Sequence, residues 1–137
     1  MKRFLDTNVF LYAFLNQDVS KKAVAARIVA DAVRTGNGRV SVQVVNEFCN
    51  VMVRKSGKTL PEILEATRLF GRFRMVDGSL ALAQRALEIR DSCGTQFYDS
   101  LMLAAAESAG CGEILTEDLN DGQMYGSIKA VNPFKRL

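Results

Sequence analysis

A chain of 137 residues, 48% hydrophobic and 24% charged, suits one domain over residues 1–137 with a proper buried core, and neither its balance nor its longest apolar run fits a disordered or membrane-spanning protein. Eighteen Lys and Arg against fifteen Asp and Glu leave a net charge of +3, too mild to indicate nucleic-acid binding by itself. The chain has no histidine, which excludes His-based catalysis and His-ligated zinc and leaves hydrolytic chemistry to acids and metal.

The start, Met1-Lys2-Arg3-Phe4-Leu5-Asp6, turns acidic after two apolar residues, unlike a secretory leader, so a cytoplasmic location is expected. Cys49, Cys93 and Cys111 are odd in number and widely spaced, the pattern of reduced, mostly buried thiols rather than a disulfide or zinc framework.

Arg3-Phe4-Leu5 reads as a first strand ending at Asp6-Thr7-Asn8, residues that favour turns and caps. Val9–Leu15 follows as a short helix and Ser20–Thr35 as a longer one, with Gly36 closing it. Arg39-Val40-Ser41 is a second strand, and Val44–Lys55 a helix with Glu47 near its start. Thr59-Leu60-Pro61-Glu62 has the cap, early proline and N3 glutamate of a helix start, so a helix to about Phe73 is expected. Met75-Val76 is a brief strand, Leu80–Arg90 a helix, and Thr95 the cap of a helix over Gln96–Ala109 with Asp99 in its opening turns. Glu113–Thr116 and Ile128–Val131 are the closing strands, separated by the acidic turn Glu117-Asp118-Leu119-Asn120-Asp121-Gly122. Short apolar strands alternating with helices predict a mostly parallel sheet between helical layers, with ligands gathering at the carboxyl ends of the strands.

Asp6, Glu47, Asp99 and Asp118 all stand at or just after the ends of apolar segments. Each has a plainer reading alone: Asp6 as a helix cap, Glu47 as a solvated helix residue, Asp99 as a partner of its helix dipole, Asp118 as a turn residue. Together, at one sheet edge, they form an oxygen-rich site suited to Mg²⁺ or Mn²⁺. Such a site needs its carboxylates within about 4 to 6 Å of one another, where mutual repulsion raises their pKa values until a cation binds. Thr7 and Asn8 are positioned to bond the metal shell or a phosphate, and Thr116 and Asn46 to orient carboxylates. Lys21-Lys22, Arg54-Lys55, Lys58, Arg68, Arg72 and Arg74 supply a basic surface that suits a polyanion, or else ordinary solvated helix faces. Phe48, Met52, Ile63, Leu64, Leu69 and Phe70 read as core, with a groove for an amphipathic partner as the alternative.

Phe4-Leu5-Asp6-Thr7-Asn8-Val9, Val45-Asn46-Glu47-Phe48, Phe97-Tyr98-Asp99-Ser100-Leu101 running into Ala104-Ala105-Ala106, Leu115-Thr116-Glu117-Asp118-Leu119 and the closing Val131-Asn132-Pro133-Phe134 resemble, in order and spacing, the PIN-domain ribonucleases, and among them the VapC-type toxins. The resemblance implies a three-layer α/β/α fold, Mg²⁺- or Mn²⁺-dependent endoribonuclease activity, homodimerisation and inhibition by a cognate VapB-like antitoxin. It makes Asp6, Glu47, Asp99 and Asp118 the metal-site acids and Thr7 a supporting hydroxyl. Glu117 and Asp121 compete with Asp118 for the fourth place. Ser100 stands where many relatives carry alanine, and no functional consequence is expected.

On this reading Asp6, Asp99 and Asp118 bind the principal ion, Glu47 completes the site or holds a second ion, and an activated water attacks phosphorus, expelling the 3′-oxygen to leave a 5′-phosphate. The rivals are a PIN-type RNA- or DNA-processing nuclease without an antitoxin and a non-catalytic acidic binding module. A haloacid dehalogenase-like phosphotransferase fits poorly, because it needs an aspartate where Asn8 stands.

Overall fold

The computed structural model describes all of residues 1–137. Six strands form one sheet: β1 (Arg3–Leu5), β2 (Gly38–Ser41), β3 (Arg74–Val76), β4 (Glu113–Leu115), β5 (Met124–Tyr125) and β6 (Ile128–Val131), in the order β3-β2-β1-β4-β6-β5. All neighbours pair in parallel except β5 with β6. The inner strands are apolar on both faces, as a covered parallel sheet requires: Phe4, Leu5, Val40, Ile114 and Leu115 are all buried.

Six helices cover the sheet, giving a three-layer α/β/α sandwich. The helices α1 (Thr7–Phe14), α2 (Val19–Thr35), α3 (Val42–Lys55) and α4 (Leu60–Thr67) pack among themselves, and α5 (Leu80–Cys93) packs on α6 (Phe97–Ser108), which lies against β2, β4 and β6. None is long and apolar enough to cross a membrane. In the first layer Phe10 meets Phe70 at 4.7 Å and Phe73 at 5.4 Å between ring centroids, and Phe48 meets Phe70 at 5.1 Å. Gly38 lets β2 pass beneath this cluster, since a Cβ there would come within 2.6 Å of the Phe73 ring and 2.9 Å of Ala32 Cβ.

Several local expectations are corrected. The capping box of Thr59 and Glu62 forms, yet α4 ends at Thr67 and continues as a 3-10 turn over Arg68–Arg72. Three residues per turn place Phe70 and Phe73 on one side, where both reach Phe10. Gln96, not Thr95, is the N-cap of α6 and gives no side-chain bond. Thr95 Oγ1 instead pairs at 2.6 Å with Oγ of Ser100, which is wholly buried. The three cysteines are free, but only Cys111 is buried. Of the apolar residues weighed as a groove, Phe48, Met52, Ile63 and Phe70 belong to the core, while Leu64 is exposed.

Candidate metal centre

The strand order reverses between β1 and β4, since β1 leads on one side to β2 and on the other to β4. Loops leaving neighbouring strands diverge at such a point and open a crevice beyond the strand ends. Asp6 follows β1 directly, its N–H donating to the Leu115 carbonyl at 3.1 Å. Asp118 lies three residues beyond the end of β4. Ser41 ends β2 and caps α3, which carries Glu47 in its second turn. Asp99 occupies the first turn of α6, where the helix dipole favours an anion.

The fold brings all four acids to one pocket of about 240 Å³, also lined by Thr7, Asn8, Asn50 and Tyr98. Two of the acids are fixed. Asp6 is 3% exposed, and its Oδ1 accepts from the Thr7 N–H at 2.6 Å and its Oδ2 from Thr116 Oγ1 at 2.7 Å. Glu47 accepts from Thr7 Oγ1 at 2.9 Å on Oε2 and from Gln43 Nε2 at 2.9 Å on Oε1. Asp99 and Asp118 are not tethered in this way; at Asp118 the bond runs through the backbone, whose N–H donates to Thr116 Oγ1 at 3.1 Å. Thr7 therefore couples Asp6 to Glu47, and Thr116 couples Asp6 to the Asp118 turn.

The three acids of the turn after β4 separate cleanly. Glu117 points away, accepting from Tyr12 OH on Oε1 and pairing its Oε2 with Lys21 Nζ at 2.8 Å. Asp121 accepts from the Asn132 N–H at 2.8 Å and pairs with Lys135 at 3.5 Å, and these partners hold its pKa below the usual range. Only Asp118 of the three faces the pocket. Asn46 is exposed and takes no part. Gln43 fills the orienting place instead, four residues before Glu47 on the same helix face, a spacing readable as an i,i+4 pair. Its Nε2 also donates to the Tyr98 carbonyl at 3.2 Å.

Burial pushes the pKa of Asp6 up to about 7, helped by the charges of Asp118 and Glu47 and opposed by the bonds from Thr116 and Thr7. Asp99 is raised for the same reasons, burial first and then Asp118 and Glu47. The donor set is all oxygen and supplies four carboxyl groups, which fits a hard divalent cation that would favour their ionised forms. Gln43 Oε1, a buried side-chain oxygen without a partner, belongs to the residue that holds Glu47. No three acids are gathered tightly enough to clasp an ion as they stand, in keeping with repulsion among like charges.

The PIN domain family matches residues 3–121. Among solved structures, the chain is similar to a toxin-antitoxin complex from Klebsiella pneumoniae, with 17% identity, TM-score 0.72 and coverage of 97% of this chain and 98% of that one. It is similar to a sarcin-ricin-loop-cleaving VapC toxin of Mycobacterium tuberculosis, with 19% identity, TM-score 0.66 and coverage of 82% and 87%. A VapBC complex of Rickettsia felis bound to a DNA fragment from its promoter gives 14% identity, TM-score 0.68 and coverage of 96% and 100%. At these identities the likeness is one of fold. No curated protein matches the sequence.

Proposed function

Because this chain belongs to the PIN-domain family, we propose that residues 1–137 act as a single nuclease domain that hydrolyses RNA with Mg²⁺ or Mn²⁺ and serves in the cytoplasm as the toxin of a toxin-antitoxin pair. The observation that carries the reading is the convergence of Asp6, Glu47, Asp99 and Asp118 on one pocket at the strand-order reversal. The toxin role is supported by the fold shared with two toxin-antitoxin complexes and an RNA-cleaving toxin. A homodimer and a VapB-like antitoxin partner belong to the same proposal.

Asp6, Asp99 and Asp118 would hold the principal ion, with Glu47 completing the site. When bound, the cation would neutralise the phosphate, lower the pKa of water and stabilise the departing oxygen. The residues around it divide the remaining work. Thr7 and Thr116 hold the Asp6 carboxylate by both oxygens, so its direction is set before substrate arrives. Thr7 and Gln43 do the same for Glu47. Asp99 and Asp118 keep their carboxylates free to adjust.

The test is metal-dependent cleavage of RNA by the purified chain. Asp6→Asn and Asp99→Asn should each reduce cleavage by on the order of a hundredfold or more while circular dichroism stays native. Full activity in either variant rules out the assignment. No metal binding at millimolar Mn²⁺ together with no cleavage would favour the acidic binding module. Growth arrest on induction, relieved by a neighbouring antitoxin gene, separates a toxin from a processing nuclease.

A further inference from the structure

Beside the acid pocket, with Asp99 and Asp118 as a shared wall, lies a larger hollow of about 610 Å³. It is bounded by Thr95 and Gln96 before α6, by Asn120 and Gln123 of the turn after β4, and by Tyr125 of β5, and no Lys or Arg lines it. Its distinctive groups are three carboxamides. Asn120 Nδ2 donates to Gln123 Oε1 at 2.8 Å, which leaves the Asn120 oxygen and the Gln123 amino group as a neighbouring acceptor and donor. Gln96 stands at the N-cap of α6 and makes no capping bond, although Ser, Thr, Asp or Asn would cap better. Tyr125, 6% exposed, supports the turn from beneath, its OH accepting from the Asn120 N–H at 3.1 Å.

Beyond the ion that Asp99 and Asp118 would hold at the shared wall, the hollow offers a phosphate no positive partner. It suits a flat, neutral group that carries donors and acceptors along one edge, as a nucleobase does. We propose that this hollow reads the base next to the cleaved bond in single-stranded RNA, with Gln96, Asn120 and Gln123 contacting its edge. The inference rests on the reading of the acid pocket as a nuclease site. A base locked in a duplex has its edge occupied, so unpaired RNA is the substrate class.

Two measurements test it. With Mn²⁺, the protein cleaves unstructured RNA randomised around one position, and the cut ends are sequenced. Gln96→Ala, Asn120→Ala and Gln123→Ala each alter base preference beside the cut by roughly threefold or more, whereas Gln84→Ala, on the exposed side of α5, retains it. Unchanged preference in all three overturns the subsite and leaves the nuclease reading intact. In a chelator, the side-chain amide NMR signals of the three residues are followed with each of the four nucleoside monophosphates and with ribose 5-phosphate. Base-dependent shifts absent with ribose 5-phosphate uphold the subsite even where no RNA is cut, in which case the nuclease reading is what fails. Equal shifts with all five ligands, or none, count against the subsite.

Discussion

Asp6 lies between two demands. Its backbone continues β1 into the sheet ladder, which buries the carboxylate, while two hydrogen bonds and two like-charged neighbours act on it in opposite senses. The balance favours the protonated form, with the pKa raised from 3.8 to about 7. An acid whose folded pKa is raised contributes stability that is full below its unfolded value and lost as pH rises through the folded one. The metal-free protein should therefore lose stability between about pH 4 and pH 7, by on the order of a few kcal/mol, and level off above that. Asp6→Asn removes this titration. In a chelator it should melt higher than wild type at pH 8 and no higher at pH 4, as thermal unfolding across pH would show. A wild-type melting curve flat across this range, and unchanged by the substitution, would contradict the account of Asp6. Thr7 joins Asp6 to Glu47 through one backbone and one hydroxyl bond, so Thr7→Val should lower cleavage by roughly tenfold with a native fold, read as kcat with circular dichroism as control.

At the scale of elements, the turn after β4 works by alternation: Thr116 and Asp118 face the pocket side and Glu117 faces α1 and α2. Lys21 anchors the outward side, pairing with Glu117 and lying 4.8 Å from the Tyr12 ring centroid and 5.7 Å from that of Phe134. Lys21→Met should leave Glu117 unpaired and lower the urea midpoint. Lys21→Met with Glu117→Gln should recover more than half of that loss, because removing both charges leaves nothing uncompensated. A double variant less stable than Lys21→Met alone would show that the pair is not the anchor. The acid-bearing turns were legible because each follows an apolar run short enough to be a strand, as at Phe4-Leu5 and Ile114-Leu115. The family resemblance then ordered them. What the sequence hid depends on partners distant in the chain. Glu117, Asp118 and Asp121 are three acids in five residues, distinguished only by Lys21, Tyr12, Asn132 and Lys135 arriving from elsewhere. Gln43 in place of Asn46 is a question of which helix face meets the cleft. β5 went unread, because two residues of strand gave no periodicity to notice; it is closed onto β6 by Gly126-Ser127, with Gly126 at φ +62°.

Across the whole molecule, charge is segregated. A chain of net charge +3 with four carboxylates gathered in one pocket carries +7 on the remainder. Arg54, Lys55, Lys58, Arg72 and Arg74 are exposed, stand in none of the ion pairs and do not line the acid pocket. Lys21 and Arg68, by contrast, are engaged with Glu117 and Glu65. An RNA strand would thus meet attraction from the basic remainder and repulsion from the pocket, a repulsion that a divalent cation bound there would weaken. Contacts of these cations that neutralise phosphates release counterions, so their contribution weakens steeply with salt, while chemistry at the clustered carboxylates does not depend on salt in the same way. Raising monovalent salt from about 50 to about 200 mM at constant Mn²⁺ should therefore raise KM for a short RNA by severalfold or more and change kcat little. Replacing Arg54 and Lys58 together with Gln should flatten that salt dependence. A salt effect confined to kcat, or one indifferent to the double replacement, would mean that RNA reaches the acids by another face.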